Sequence, residues 1–137
     1  MGDRGFRWYA DESVLGFGKL LSRERDDVLY PGHEAASGIA LGALDTEWMP
    51  IVAKHGWVVF HRDRRIRTRP AELEIFRSEG LKGVWFAGRR DLGPRDQLSL
   101  ALRHWTRLEQ EVVRLGSGPW ALNLVHNGLI EVHLREP

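Results

Sequence analysis

The run Trp57-Val58-Val59-Phe60 is continuous, apolar and rich in β-branched and aromatic residues. A strand with one wet face alternates apolar and polar residues. An unbroken run instead fits a strand buried on both faces in the middle of a parallel sheet. Parallel neighbours cannot be joined by a tight turn, so such a strand requires crossover connections, usually helices. The flanking sequence supplies them. On the N-terminal side, Asp45 or Thr46 caps a helix running from Glu47 to His55. Pro50 is tolerated near its first turn, and Gly56 ends it. On the C-terminal side, after an arginine-rich stretch, Pro70 opens a helix marked by Leu73 and Phe76 and closed at Gly80.

The same alternation extends along the chain. Phe6 to Ala10 reads as a strand, and Asp11-Glu12-Ser13 offers a cap for a helix. Val14, Phe17, Leu20 and Leu21 recur at helical spacing, predicting that helix from Ser13 to Arg25. Gly16 and Gly18 weaken it unless they serve to bring it close to the sheet. Asp27 to Tyr30 is a second strand, and residues 31–44 read as a loop rich in Gly, Ala and Ser. Val84 to Ala87 is a further strand. Arg95 to Leu115 is the longest predicted helix, with Leu98, Ala101, Leu102, Trp105, Leu108, Val112 and Val113 on one stripe. Gly116 to Pro119 breaks it, and Asn127-Gly128 between two apolar runs signals a β-hairpin.

Helices alternating with strands predict an α/β fold with a mainly parallel central sheet, helices on both faces and a C-terminal β-hairpin. A length of 137 residues suits one domain. The expected organisation is a single domain over 1–137, with an α/β core at 1–115 and the hairpin of 116–137 appended at an edge. Trp120 and that hairpin offer a surface for a homodimer.

The formal net charge is +1, so bulk charge selects no partner, but Arg62, Arg64, Arg65, Arg67 and Arg69 crowd one segment. There are no cysteines, which excludes disulfides, thiolate metal sites and cysteine nucleophiles. No stretch approaches the length of a membrane span. The expectation is a cytoplasmic protein with no membrane partner. The histidines lack zinc-ligand spacing, the serines lack a nucleophile elbow, and no phosphate-binding glycine loop is present.

Three acids remain: Asp11 after the first strand, Asp45 before the second predicted helix, and Asp63 just past the Trp57–Phe60 run. In open α/β sheets ligands bind at the carboxyl ends of strands. Carboxylates gathered there repel one another unless a cation lies between them, and hard divalent ions take such oxygen ligands. Taken singly, Asp11 and Asp45 are explained as helix caps, and Asp63 as half of a surface Arg–Asp pair. Their convergence favours a metal site.

The residues that carry a resemblance are the strand ending in Asp11-Glu12, the helix opening at Asp45-Thr46-Glu47-Trp48, and the segment from Gly56 through His61-Arg62-Asp63-Arg64-Arg65-Ile66. Together they resemble the PIN-like nuclease superfamily, and within it the small bacterial branch grouped with VapC-type toxins. The resemblance implies a three-layer α/β/α PIN-like fold and metal-dependent cleavage of RNA, leaving 5′-phosphate and 3′-hydroxyl ends. It implies Mg2+ or Mn2+ held by Asp11, Asp45 and Asp63, with Glu12 and Glu47 beside them. Arg62, Arg64, Arg65 and His61 would meet the RNA backbone. A cognate antitoxin protein would cover the cleft. PIN nucleases carry a further carboxylate after a later strand, for which Asp91 and Asp96 are the candidates, and neither fits the pattern well. That departure keeps open a catalytically degenerate module that only binds nucleic acid or protein. A phosphate-accepting receiver domain fits less well, since Lys82 precedes a strand where a receiver needs a lysine after one.

Overall fold

The computed structural model describes residues 5–33, 39–62, 69–88 and 91–134. Six strands form one sheet: β1 (Trp8–Ala10), β2 (Val28–Leu29), β3 (Val58–His61), β4 (Lys82–Phe86), β5 (Trp120–Val125) and β6 (Gly128–Val132), in the order β2-β1-β3-β4-β5-β6. The first five are parallel, and β6 returns antiparallel to β5. A 3₁₀ turn (Glu12–Val14) leads into α1 (Leu15–Glu24). It is followed by α2 (Asp45–His55), α3 (Pro70–Ser78), α4 (Pro94–Arg103) and α5 (Trp105–Leu115). All four residues of β3 are buried, as the unbroken apolar run requires.

Strand alternation builds two cores. Trp8, Ala10, Val58, Phe60, Val84 and Phe86 face α1, α4 and α5, meeting Phe17, Leu21, Ala101 and Leu108. Tyr9, Val59 and Trp85 face α2 and α3, meeting Trp48, Met49, Val52 and Phe76. The result is three layers, α/β/α. Gly18 makes the α1 layer possible, because a Cβ there would lie 2.5 Å from the Cβ of Ala10 on β1. The glycine that weakens the helix therefore lets it sit directly on the sheet. Gly56 closes α2 with a left-handed φ of 70°, a conformation that glycine adopts without steric cost.

The chain moves from β1 to β2 in one direction and from β4 to β5 in the other. Both connections run over the same face, where α1 packs on α4. The two crossovers therefore have opposite hands, against the strong preference for one hand in parallel sheets.

Two expectations need correction. The single helix expected over Arg95–Leu115 is two helices, parted at His104 (φ −106°, ψ 15°). The His104 N–H turns to the Ala101 carbonyl, and its ring Nε2 lies 3.0 Å from the His126 carbonyl. The bend swings the ring of Trp105 to 4.7 Å from that of Trp8. It leaves Leu102 and Val113 exposed, although a straight helix would place them on the apolar stripe. The C-terminal hairpin is likewise no appendage. β5 lies inside the sheet beside β4, and Trp120, Ala121, Leu122 and Leu124 are core residues. The reason is their apolar surface, which an edge position would leave in water.

Candidate functional site

The strand order reverses at β1. The chain leaves β1 over one face to reach β2, then returns over the other face, through α2, to reach β3. A crevice opens at the carboxyl ends of strands where connections part in this way. Asp11 is the first residue after β1. Its N–H donates to the Phe60 carbonyl at 3.0 Å, which ties the end of β1 to β3. Alternation sends Asp11 to the same side as Tyr9, the side of α2.

Asp11 is 8% exposed. Ser13 Oγ donates to its Oδ2 at 2.9 Å, and the Arg62 N–H donates to Ser13 Oγ at 3.2 Å. One hydroxyl thus fixes the carboxylate against the backbone leaving β3. Burial pushes the Asp11 carboxyl up to about 6 against its ordinary 3.8, and the charge of Asp45 adds to the rise. Hydrogen bonds from Ser13 and from the local backbone pull the other way without cancelling it. The Tyr9 phenol is also driven up, first by burial, then by the charges of Asp11 and Glu12.

Asp45 opens α2. Its Oδ1 accepts the indole N–H of Trp48 at 3.0 Å, so a core residue on the next turn sets its orientation. Glu12 reaches across to accept the N–H of Gly42, which clasps the loop before α2 to the end of β1. Asp11 and Asp45 thus lie near enough for their charges to interact, with Glu12 turned to the loop before α2. Glu47 faces a different task. It accepts the Leu44 N–H at 2.8 Å, satisfying a donor at the start of α2 as a capping glutamate does.

The PIN-like domain family model matches residues 7–88, a span running from β1 to β4 through Asp11, Asp45 and Asp63. The chain belongs to the PIN-like domain family. Comparison with curated proteins and with solved structures finds no match. PIN-like domains are generally nucleases, and PIN-like nucleases usually use divalent metals.

For a PIN-like domain the donor set is chemically apt: Asp11 and Asp45 offer the hard oxygens that magnesium or manganese takes. Among the described residues no group of three or more His, Cys, Asp or Glu side chains is arranged to hold a metal ion. Asp63, the third acid singled out in the sequence, lies outside the described residues, as do Arg64 and Arg65. Arg62 is exposed, and its Nη1 is 3.7 Å from Asp91 Oδ1. Asp91 is almost fully exposed, so this pair contributes little to stability. Asp96 sits in the first turn of α4, on the α1 face of the sheet. Asp11 and Asp45 belong to the other face, so Asp96 does not join them.

His61, expected to meet the RNA backbone, is not exposed to it. It ends β3 with 0% exposure, its ring 3.8 Å from that of Trp85. A side chain without accessible surface makes no contact with a substrate strand, and strand alternation turns this one into the α3-side core. Sequence reasoning also passed over Ser13 and Trp48, which hold Asp11 and Asp45. The signal for Ser13 was present: serine two residues after aspartate suits a local turn closed by side-chain hydrogen bonds.

Proposed function

We propose that this PIN-like domain is a metal-dependent endoribonuclease, the toxin of a VapC-type toxin–antitoxin pair, working with Mg2+ or Mn2+. The reading is carried by one observation. Asp11, a buried carboxylate with its carboxyl pushed up to about 6, is fixed at the switch point of a PIN-like sheet beside the charge of Asp45. Two carboxylates kept together at a cost in desolvation and repulsion fit a cation site better than a pair of caps.

Asp11 and Asp45 would hold the cation, with Asp63 as the third ligand. The cation would supply charge neutralisation at the phosphate and a water of lowered pKa. The chain's residues supply the rest. Ser13 keeps Asp11 in one rotamer, and Trp48 does the same for Asp45. Glu12 holds the two loops at a fixed separation. Arg62, with Arg64 and Arg65, would bind the flanking phosphates, and a guanidinium suits them because its paired donors match phosphate oxygens. The antitoxin would be a protein that covers this acidic crevice.

The test is cleavage of a mixed structured and single-stranded RNA pool with manganese, magnesium or a chelator. The parent should cut in either metal, and Asp11→Asn and Asp63→Asn should each lose on the order of a hundredfold or more. Cutting that survives the chelator, or persists in both variants, would overturn the proposal.

A second reading has its own support. Asp45, Glu12 and Glu47 each accept a hydrogen bond that organises the fold. A degenerate domain that binds nucleic acid or protein would keep those bonds and cut nothing. RNA binding by a parent that does not cleave in any metal would favour it.

A further inference from the structure

A second recess opens on the same edge of the sheet, at the carboxyl ends of β4 and β5. Gly88 lies just past β4 and His126 just past β5, while α4 closes the side with Asp96, Ser99 and Arg103. Its volume is about 430 Å³, within the range of small-ligand sites. Leu92 and Leu100 give it an apolar wall.

Its polar groups are sorted by position. Asp96, Ser99 and Arg103 fall on one face of α4, at spacings of three, four and seven. The acid is at the start of the helix and the cation at its end, so the recess has an acceptor end and a donor end. At the donor end Arg103 Nη1 is 3.3 Å from His126 Nδ1. A guanidinium only donates, so Nδ1 accepts, and the ring proton belongs on Nε2 as a second donor. His104 fixes the arrangement by bonding the His126 carbonyl at 3.0 Å. The bend at residue 104 that splits the long helix is what places this contact.

We propose that the recess holds an unpaired nucleotide of the substrate strand, beyond the dinucleotide being cut. Arg103 and His126 take its phosphate, Leu92 and Leu100 lie against its base, and Asp96 with Ser99 accepts from the exocyclic amine. The inference rests on the nuclease reading above. The crevice at β1 and β3 and the recess at β4 and β5 lie on opposite faces of the sheet's carboxyl edge. They are two strand spacings apart along it, about 10 Å in that direction alone, so a strand crossing the edge reaches the recess only past the scissile dinucleotide. Arg62 and its partner Asp91 lie between them. Single-stranded RNA is read in this way, with a splayed base against side chains and its edge in hydrogen bonds. A carboxylate bonded to a base amine matches the pairing seen for cytosine.

The test measures binding of short single-stranded RNA oligonucleotides and of a dinucleotide by fluorescence anisotropy, with chelator present so that nothing is cut. Arg103→Gln removes the exposed cation, and Ser99→Phe fills the recess. Each should weaken oligonucleotide binding about tenfold and leave dinucleotide binding unchanged. Arg103→Gln should also lower the salt dependence of binding by about one counterion. In cleavage assays with manganese, KM should rise while kcat holds. Unchanged oligonucleotide affinity in Arg103→Gln, in a parent that binds or cuts RNA, would overturn this inference alone. A parent that neither binds nor cuts RNA would overturn the nuclease reading and this inference with it.

Discussion

The two faces of the sheet use the same strands for opposite purposes. On the α1 side, Trp8, Phe17, Phe60, Phe86 and Trp105 form a continuous aromatic layer. On the α2 side, the residues one position along are Tyr9, Asp11 and His61, and Asp11 and His61 are buried polar groups. A single-residue step in a strand turns a side chain to the other face. Alternation therefore lets β1 and β3 build a core on each face while Asp11, just past β1, turns to the α2 side. One face gains stability from burial, and the other spends part of it to hold a charge.

The comparison can be sharpened by substitutions of opposite sign on adjacent strands. Phe60 has aromatic neighbours at ring distances of 5.0 Å (Phe17), 5.5 Å (Trp8) and 6.0 Å (Phe86). Phe60→Ala should cost about 4 kcal/mol in urea unfolding. A loss under about 1 kcal/mol would mean that the aromatic layer collapses around the gap.

Asp11→Asn should act the other way. The folded carboxyl titrates near 6 and the unfolded one near 3.8. The parent's stability is thus fullest below the unfolded value and declines as pH rises through about 6. Asparagine removes that decline and keeps an acceptor for Ser13. The variant should exceed the parent at pH 8 by up to about 3 kcal/mol, with the gain gone near pH 4. Unfolding midpoints across that range would check it, and a difference independent of pH would show that Asp11 is not desolvated.

Gly18→Ala tests the contact between α1 and the sheet. The added methyl would meet Ala10 at 2.5 Å, and overpacking of this kind should cost about 2 kcal/mol. A stabilised variant, as helix propensity alone would give, would show that α1 can lift off β1.

Much of this could be read from the chain. The apolar run at Trp57–Phe60 announced a buried parallel strand, and Asn127-Gly128 announced the final hairpin. Gly56 marked the end of α2. The break at His104 carried no mark, because neither glycine nor proline stands there. It arises from a contact with His126 that is remote in sequence. The face chosen by α4 and α5 was also illegible, since the usual hand of crossovers points to the opposite layer. Only packing of Leu108 and Trp105 on the aromatic layer decides it. At the site, strand ends announced Asp11 and Asp45. The burial of His61 was hidden because the arginines beside it suggest a wet turn, whereas strand parity turns its ring inward.

The opposite-handed crossover separates family boundary from folding unit. The PIN-like match stops at residue 88, yet α4 and α5 come back over the first helix and first strand. Pro94 lies against Gly16, and Trp105 against Trp8. A fragment ending at Gly88 would retain Asp11, Asp45 and four parallel strands, but Phe17, Phe60 and Phe86 would lose much of their cover. It would hold the sequence that defines the family without autonomy as a fold. The last third of the chain completes the core that the family-matched part begins.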